Sequence, residues 1–159
     1  MVTPSRAEAW GMLMDVCDPE LPFLSVVDLG VIREVRVDED EVTVEITPTY
    51  SGCPAMEVIE RDVERRLVDG GFRRASIQRR LSPAWTTDEI SERGKLLLAE
   101  HGIAPPRSVR DDELVQLPVP CPRCGSTKTE LLSAFGSTAC KALRRCTSCL
   151  EPFDHVKPI

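Results

Sequence analysis

Apolar and polar positions alternate along this chain with two different periods, and the periods predict its elements. From Ser5 to Val16, Ala9, Met12, Leu13 and Val16 recur at helical spacing, with Ser5 placed to cap the N-terminus. The prolines of Asp18-Pro19-Glu20-Leu21-Pro22 end that helix, and Asp28-Leu29-Gly30 turns the chain again. Val31 to Val37 reads as a strand with Val31, Arg33, Val35 and Val37 on one parity. The acidic run 38–41 is a solvated turn, after which Val42, Val44 and Ile46 alternate with polar residues as a half-buried antiparallel strand. A loop, Thr47 to Gly52, leads into Cys53-Pro54. Met56, Ile59, Val63 and Leu67 then mark one face of a second helix that stops at Gly70-Gly71. Phe72 to Leu81 is a third strand.

The order is helix, strand, strand, helix, strand, and the fold class expected is α+β: a small layer sandwich. A trailing helix over Thr87–His101, carrying Ile90, Leu97 and Leu98 but weakened by Gly94, completes a first domain over 1–102. Pro105-Pro106 and the charged run after it suggest a linker over 103–118, and 119–159, with the pairs Cys121/Cys124 and Cys146/Cys149 each at Cys-x-x-Cys spacing, is expected to form a C-terminal zinc ribbon. We see no internal repeat and no low-complexity tract.

Composition changes this picture little. Of 159 residues, 42% are hydrophobic and 29% charged, which fits a globular chain, and the 4% aromatic content leaves the core to Val, Leu and Ile. No stretch approaches the roughly 20 apolar residues a membrane span needs, and the first ten lack a signal-peptide pattern, so the expected location is the cytoplasm. Charge matters more. Residues 1–118 carry 14 basic and 23 acidic groups, residues 119–159 carry 6 and 3, so an acidic body precedes a mildly basic tail. That distribution disfavours nucleic acid as the main partner and favours protein.

In a reducing compartment, seven cysteines point to metal or thiol chemistry ahead of disulfides. Cys121-Pro122-Arg123-Cys124 and Cys146-Thr147-Ser148-Cys149 are two knuckles separated by the 21 residues 125–145. Together Cys121, Cys124, Cys146 and Cys149 offer four thiolates, a set suited to structural zinc and, second, to a rubredoxin-like iron. So short a segment needs a metal to fold. Gly125 suits a tight first knuckle, whereas Leu150 makes the second less ideal.

Three cysteines remain. Cys53 is placed at the N-cap of the second helix with Pro54 at its first position, where the helix dipole favours a thiolate. It reads either as a reactive thiol or as a small capping residue, with Thr47, Thr49 and Ser51 as nearby hydroxyls. Neither His101 nor His155 is spaced to serve as its base, and both read as surface residues, which disfavours Cys–His hydrolysis. Cys17 adjoins Asp18 and Glu20. Those groups read equally as iron ligands or, for Asp18, as the cap of a turn. Cys140 reads as a buried thiol or a functional one.

Asp18-Pro19-Glu20, Val27-Asp28-Leu29-Gly30-Val31-Ile32 and Thr47 through Gly52-Cys53-Pro54 resemble the iron–sulfur cluster assembly domain shared by SufT-type proteins and PaaD, over about Ser5 to Trp85. The segment Ser133 to Ala142 with the four-cysteine ribbon resembles the PaaD family in particular, accessory proteins of the phenylacetyl-CoA epoxidase. The resemblance implies a small α+β fold that helps assemble or insert iron or Fe–S clusters. Cys53 would be the reactive cysteine and transient metal ligand, with Asp18, Glu20, Asp28 and Thr47 as the motif residues. Cys140, which falls in the PaaD segment, or Cys17 would serve as a second thiol. The implied partners are the oxygenase and reductase subunits of that epoxidase. The chain lacks a Gly-rich cofactor loop and a Glu-x-x-His di-iron motif, so it is not expected to be the oxygenase itself. A permanent, non-catalytic subunit is the alternative reading. A zinc-ribbon nucleic-acid binder and a thiol-dependent enzyme rank below both.

Overall fold

The computed structural model describes residues 3–108 and 118–159, and the chain divides into two compact units at Trp85/Thr86. The first contains α1 (Arg6–Leu13), β1 (Ile32–Asp38), β2 (Glu41–Ile46), α2 (Ala55–Asp69) and β3 (Arg74–Arg79). This is the expected α+β order. β1 and β2 form an antiparallel hairpin, and α2 carries the chain over to β3, which pairs parallel with β2. Ala55, Met56, Ile59, Val63 and Leu67 of α2 are buried, as are Val42, Val44 and Ile46 of β2, Ala9 and Leu13 of α1, and Phe72. Period 3.6 against period 2 is what lets helix and sheet share this core.

α1 is capped as expected. Ser5 Oγ accepts from the Glu8 amide (3.3 Å), and the Glu8 carboxylate accepts from the Ser5 amide (2.7 Å), closing a capping box. The helix stops at Leu13, short of the expected Val16, because the amides of Asp15 and Val16 turn to carbonyls only three residues back. In β1 a register shift between Ile32 and Glu34 breaks the single valine parity, so Ile32 and Val35 are both buried.

The second unit differs from the expected organisation. Its helix α3 (Glu92–Glu100), assigned from the sequence to the first domain, groups with the ribbon strands β4 (Thr129–Ser133), β5 (Lys141–Cys146) and β6 (Pro152–Val156). The reason is local pairing. The Ala104 amide donates to Asp154 O (2.8 Å) and Val156 donates to Ala104 O (3.1 Å), adding one bridge beside β6, while Thr87 donates to Ile159 O (3.0 Å). Residues 103–106 are therefore packed against the ribbon. In the rest of the expected linker, Arg107 donates to Pro118 O (2.8 Å), and 109–117 lie outside the described residues. The trailing helix is also split: Thr87–Glu89 is a 3₁₀ turn, and α3 starts afresh with Ser91 Oγ accepting from Gly94. β4, β5 and β6 form an antiparallel sheet in that order.

The first unit's helix–sheet contact predicts a large cost for truncating its centre. Ile59→Ala, at a fully buried position of α2, is expected to destabilise the unit by about 2–5 kcal/mol in denaturant unfolding, whereas Glu64→Ala on the exposed face should cost under about 0.5 kcal/mol. Equal effects would contradict this packing.

Candidate functional site

The four knuckle cysteines converge. All four Sγ atoms lie within 4.8 Å of one another, with Cys121–Cys149 at 3.7 Å and Cys124–Cys146 at 3.6 Å. Thiolates about 2.3 Å from a tetrahedrally held ion stand roughly 3.8 Å apart, so the set fits one metal ion. The backbone is turned as such a site needs. The amides of Ser148 and Cys149 donate to Cys146 Sγ (3.4 and 3.5 Å), Gly125 donates to Cys121 O (2.9 Å), and Cys121 donates to Ser126 O (2.9 Å). Hydrogen bonding from the Cys149 backbone, with that from Ser148, pulls the Cys146 thiol down to about 6, against the opposing effect of burial. Cys146 is thereby the sulfur readiest to ionise. Ser126 and Ser148 share a hydroxyl bond (2.8 Å) and Arg123 pairs with Glu151, so the two knuckles are tied at their tips.

The knuckles are also more alike than the sequence suggests. Gly125 has φ of 73° and Leu150, its counterpart after the second pair, has φ of 65°. The second knuckle makes the same left-handed turn with a residue whose Cβ strains it.

In the first unit the motif residues occupy two linked turns. Asp18 is buried, and its Oδ1 accepts from the amides of Glu20 (2.7 Å) and Leu21 (3.0 Å), so it caps the turn. Glu20 is exposed. Asp28, buried, accepts from Ser25 Oγ (3.0 Å), which in turn accepts from the Asp28 amide (3.0 Å). Thr47 is buried. Its amide donates to Val31 O (2.9 Å), its Oγ1 accepts from Arg33 Nε (3.0 Å), and Val31 donates to Val26 O (3.3 Å). Val31 thus joins the Asp28 turn to the Thr47 loop, and Trp85 Nε1 braces the same turn through Leu29 O (3.0 Å). Sequence reasoning read Arg33 only as a strand residue. An arginine among valines on the buried parity was the available signal.

Cys53 is half-buried at the end of that loop, where Gly52, at φ of 78°, reverses the chain so that the Cys53 amide reaches Tyr50 O (3.3 Å). The regular helix α2 begins at Ala55, Pro54 already has helical dihedrals (φ −68°, ψ −21°), and the Met56 amide donates to the Cys53 carbonyl (3.2 Å), so Cys53 immediately precedes the first turn. Beside the loop lies a hollow of 130 Å³ lined by residues that include Thr47, Thr49, Tyr50, Ser51, Leu81 and Trp85. Cys17 is near Asp15, Asp18 and Asp28. Burial, and then those carboxylates, push its thiol above the ordinary range, which favours the protonated form. Cys140 sits in the second unit, half-buried, with its Sγ 3.1 Å from Thr138 Oγ1. His101 is exposed as expected, but His155 is buried, because β6 places it opposite Ala142 on the covered face of the ribbon.

Two outcomes follow from the tetrad. Stripping the metal with a chelator, or replacing Cys146 with Ser, should abolish one bound ion per chain and the amide protection of β5 and β6, read by hydrogen exchange and metal analysis. Persistent protection in metal-free protein would contradict it. Leu150→Gly should stabilise the metal-loaded protein by about 1 kcal/mol in thermal unfolding, and Gly125→Ala should lose about as much, since an added Cβ there meets nothing within 4 Å and only the dihedral cost remains.

The chain matches two family models: iron-sulfur cluster assembly protein over residues 6–71, and PaaD zinc beta ribbon domain over residues 105–157. It is 43% identical over 156 residues to a putative 1,2-phenylacetyl-CoA epoxidase subunit of Escherichia coli (strain K12), covering 98% of this chain and 94% of that protein. Over 55% of its length it is 34% identical to the Fe-S protein maturation auxiliary factor YitW of Bacillus subtilis (strain 168), of which 87% is covered. A solved domain of unknown function, DUF59, from Bacillus anthracis superposes with a TM-score of 0.55 at 27% identity, over 58% of this chain and 90% of that one. A conserved hypothetical protein from Thermotoga maritima gives 0.53 at 26%, over 60% and 96%. Among the described residues no helix is long and apolar enough to cross a membrane. With an assembly-type unit, a four-cysteine metal-binding ribbon and a near end-to-end match to the Escherichia coli protein, the chain belongs to the PaaD family.

Proposed function

We propose that this protein is a cytoplasmic maturation factor that assembles or inserts iron or an Fe–S cluster for a phenylacetyl-CoA ring-epoxidase complex in phenylacetate catabolism, without catalysing the oxygenation. One observation carries the reading. A unit similar to iron–sulfur cluster assembly proteins is joined to a PaaD ribbon in a chain alike, nearly throughout, to one of the epoxidase's subunits. Cys53 holds the cargo in passing. It stands at the end of a loop whose backbone is fixed by Thr47 and Val31, which keeps the thiol placed without a metal at rest. Asp18 and Asp28 shape the adjoining turn, Glu20 extends from it into solvent, and Cys140 is the second thiol in the PaaD segment.

Zinc is the ion we assign to Cys121, Cys124, Cys146 and Cys149. Four sulfurs form a closed tetrahedral set, and zinc there supplies folding energy with no redox chemistry. The partners are the oxygenase and reductase subunits of the epoxidase. The relative's designation as a subunit favours a second reading, permanent structural membership, which fixed-stoichiometry co-purification of all subunits would support.

The test is Cys53→Ala in a strain expressing the whole epoxidase. The oxygenase and reductase purified from it are expected to lose most of their iron or cluster content, at least several-fold, while the variant keeps its own ribbon metal. Full occupancy and activity of the client would defeat the maturation role.

A further inference from the structure

The ribbon carries an apolar surface that its own fold produces and does not cover. β4 pairs only with β5 among the described strands, so it is an edge. Its ladder runs Leu131 opposite Arg144 and then Ser133 opposite Leu143, which leaves Leu132 as an extra residue in a bulge. In an unbroken strand one of two consecutive leucines would face the covered side. Here both are turned out, Leu131 at 54% exposure and Leu132 at 47%, and Phe135, just beyond the strand, is at 67%. Three such side chains expose roughly 300–400 Å², the size of an apolar patch that on a monomer often marks an interaction site.

The rim of this patch is cationic. Lys157 Nζ lies 4.5 Å from the centroid of the Phe135 ring and donates to Ala134 O (3.0 Å), which holds the ammonium at the patch. Arg144, opposite Leu131, has a buried Nε without a hydrogen-bond partner, and neither it nor Lys128, just before β4, forms an ion pair among the described residues. Arg145, next along β5, is paired with Glu130, whereas Arg144 lies opposite Leu131 and Lys157 at Phe135; Asp154, beside Gly136, is a carboxylate on that side and accepts from Ser137. Residues 119–159 carry a net +3 as a whole.

We propose that Leu131, Leu132 and Phe135, rimmed by Lys128, Arg144 and Lys157, dock a protein partner that presents an apolar centre ringed by carboxylates. The apolar centre supplies the area removed from water, and the cations steer and align an acidic surface. That the partner is the epoxidase rests on the reading given above; the surface itself does not.

The experiment measures binding of the full chain to purified epoxidase oxygenase and reductase subunits. Leu131→Ser/Leu132→Ser/Phe135→Ser and, separately, Lys128→Glu/Lys157→Glu are compared with the native chain, each first checked for one bound metal ion per chain. Both variants are expected to bind at least tenfold more weakly, and native binding should weaken as salt is raised from 50 to 500 mM. Unchanged affinity of the metal-loaded serine variant overturns the docking surface, whatever Cys53→Ala does to client loading. Loss of binding with Cys53→Ala still giving a fully loaded client supports the surface and defeats only the maturation role. A native dimer in sedimentation that the serine variant abolishes would assign the patch to a second copy of this chain and overturn the proposal, as would salt-sensitive capture of RNA in place of protein.

Discussion

Everything in the ribbon depends on bringing four sulfur atoms to one point. The apolar cluster around those sulfurs is small: Ala104, Val119 and Phe153 pack with Cys121 and Cys146, and Cys149 lies against them. So few apolar groups around the sulfurs do little by themselves to offset the entropy of ordering the two knuckles. Four thiols crowded together are also no resting arrangement, since ionising any one raises the cost of ionising the next. A cation removes both difficulties at once. It neutralises the thiolates, and it fixes the first knuckle against the end of β5 and the turn into β6. The placement of β4 and of the loop holding Cys140 follows from that single clasp, because β5 positions both.

The first unit solves the opposite problem. Its helix and sheet bury a core of their own, and that core positions loops. Thr47 is buried to its hydroxyl, Arg33 reaches in from β1 to hold it, and Trp85 closes over the Leu29 carbonyl. The result is a loop that leaves a fixed point in the sheet and places Cys53 at its junction with α2. A loop anchored in this way takes its geometry from the scaffold beneath it.

How much of this was legible depended on whether a residue's role was local. The stripe Met56, Ile59, Val63, Leu67 and the alternation Val42, Val44, Ile46 predicted α2 and β2 because burial repeats with the backbone's own period. The tetrad was legible because knuckle spacing is dictated by the ion. Non-local facts were not. α3 belongs with the ribbon through Ala104 and Thr87, whose partners lie some 50 to 70 residues on. His155 is buried because of the strand it pairs with, not because of its neighbours in sequence. Leu150 gave the reverse signal to its conformation: its side chain argues against a left-handed turn, and the convergence of the four sulfurs imposes one regardless.

The division between clasp and thiol chemistry sharpens when all seven cysteines are compared by what already occupies them. Four sulfurs are directed at one another and would be saturated by a single tetrahedral ion, with no open position for cargo. Cys17 is held toward its protonated form by burial and three carboxylates, an environment that opposes a thiolate ligand until a cation arrives. Cys53 and Cys140 are left, one in each unit, both half-buried and both reached by loops rather than by regular strands or helices. A closed metal site and an available thiol place contrary demands on cysteine, saturation in one case and vacancy in the other. Separation along the chain leaves the four-sulfur set closed within the ribbon and Cys53 outside it, in the other unit.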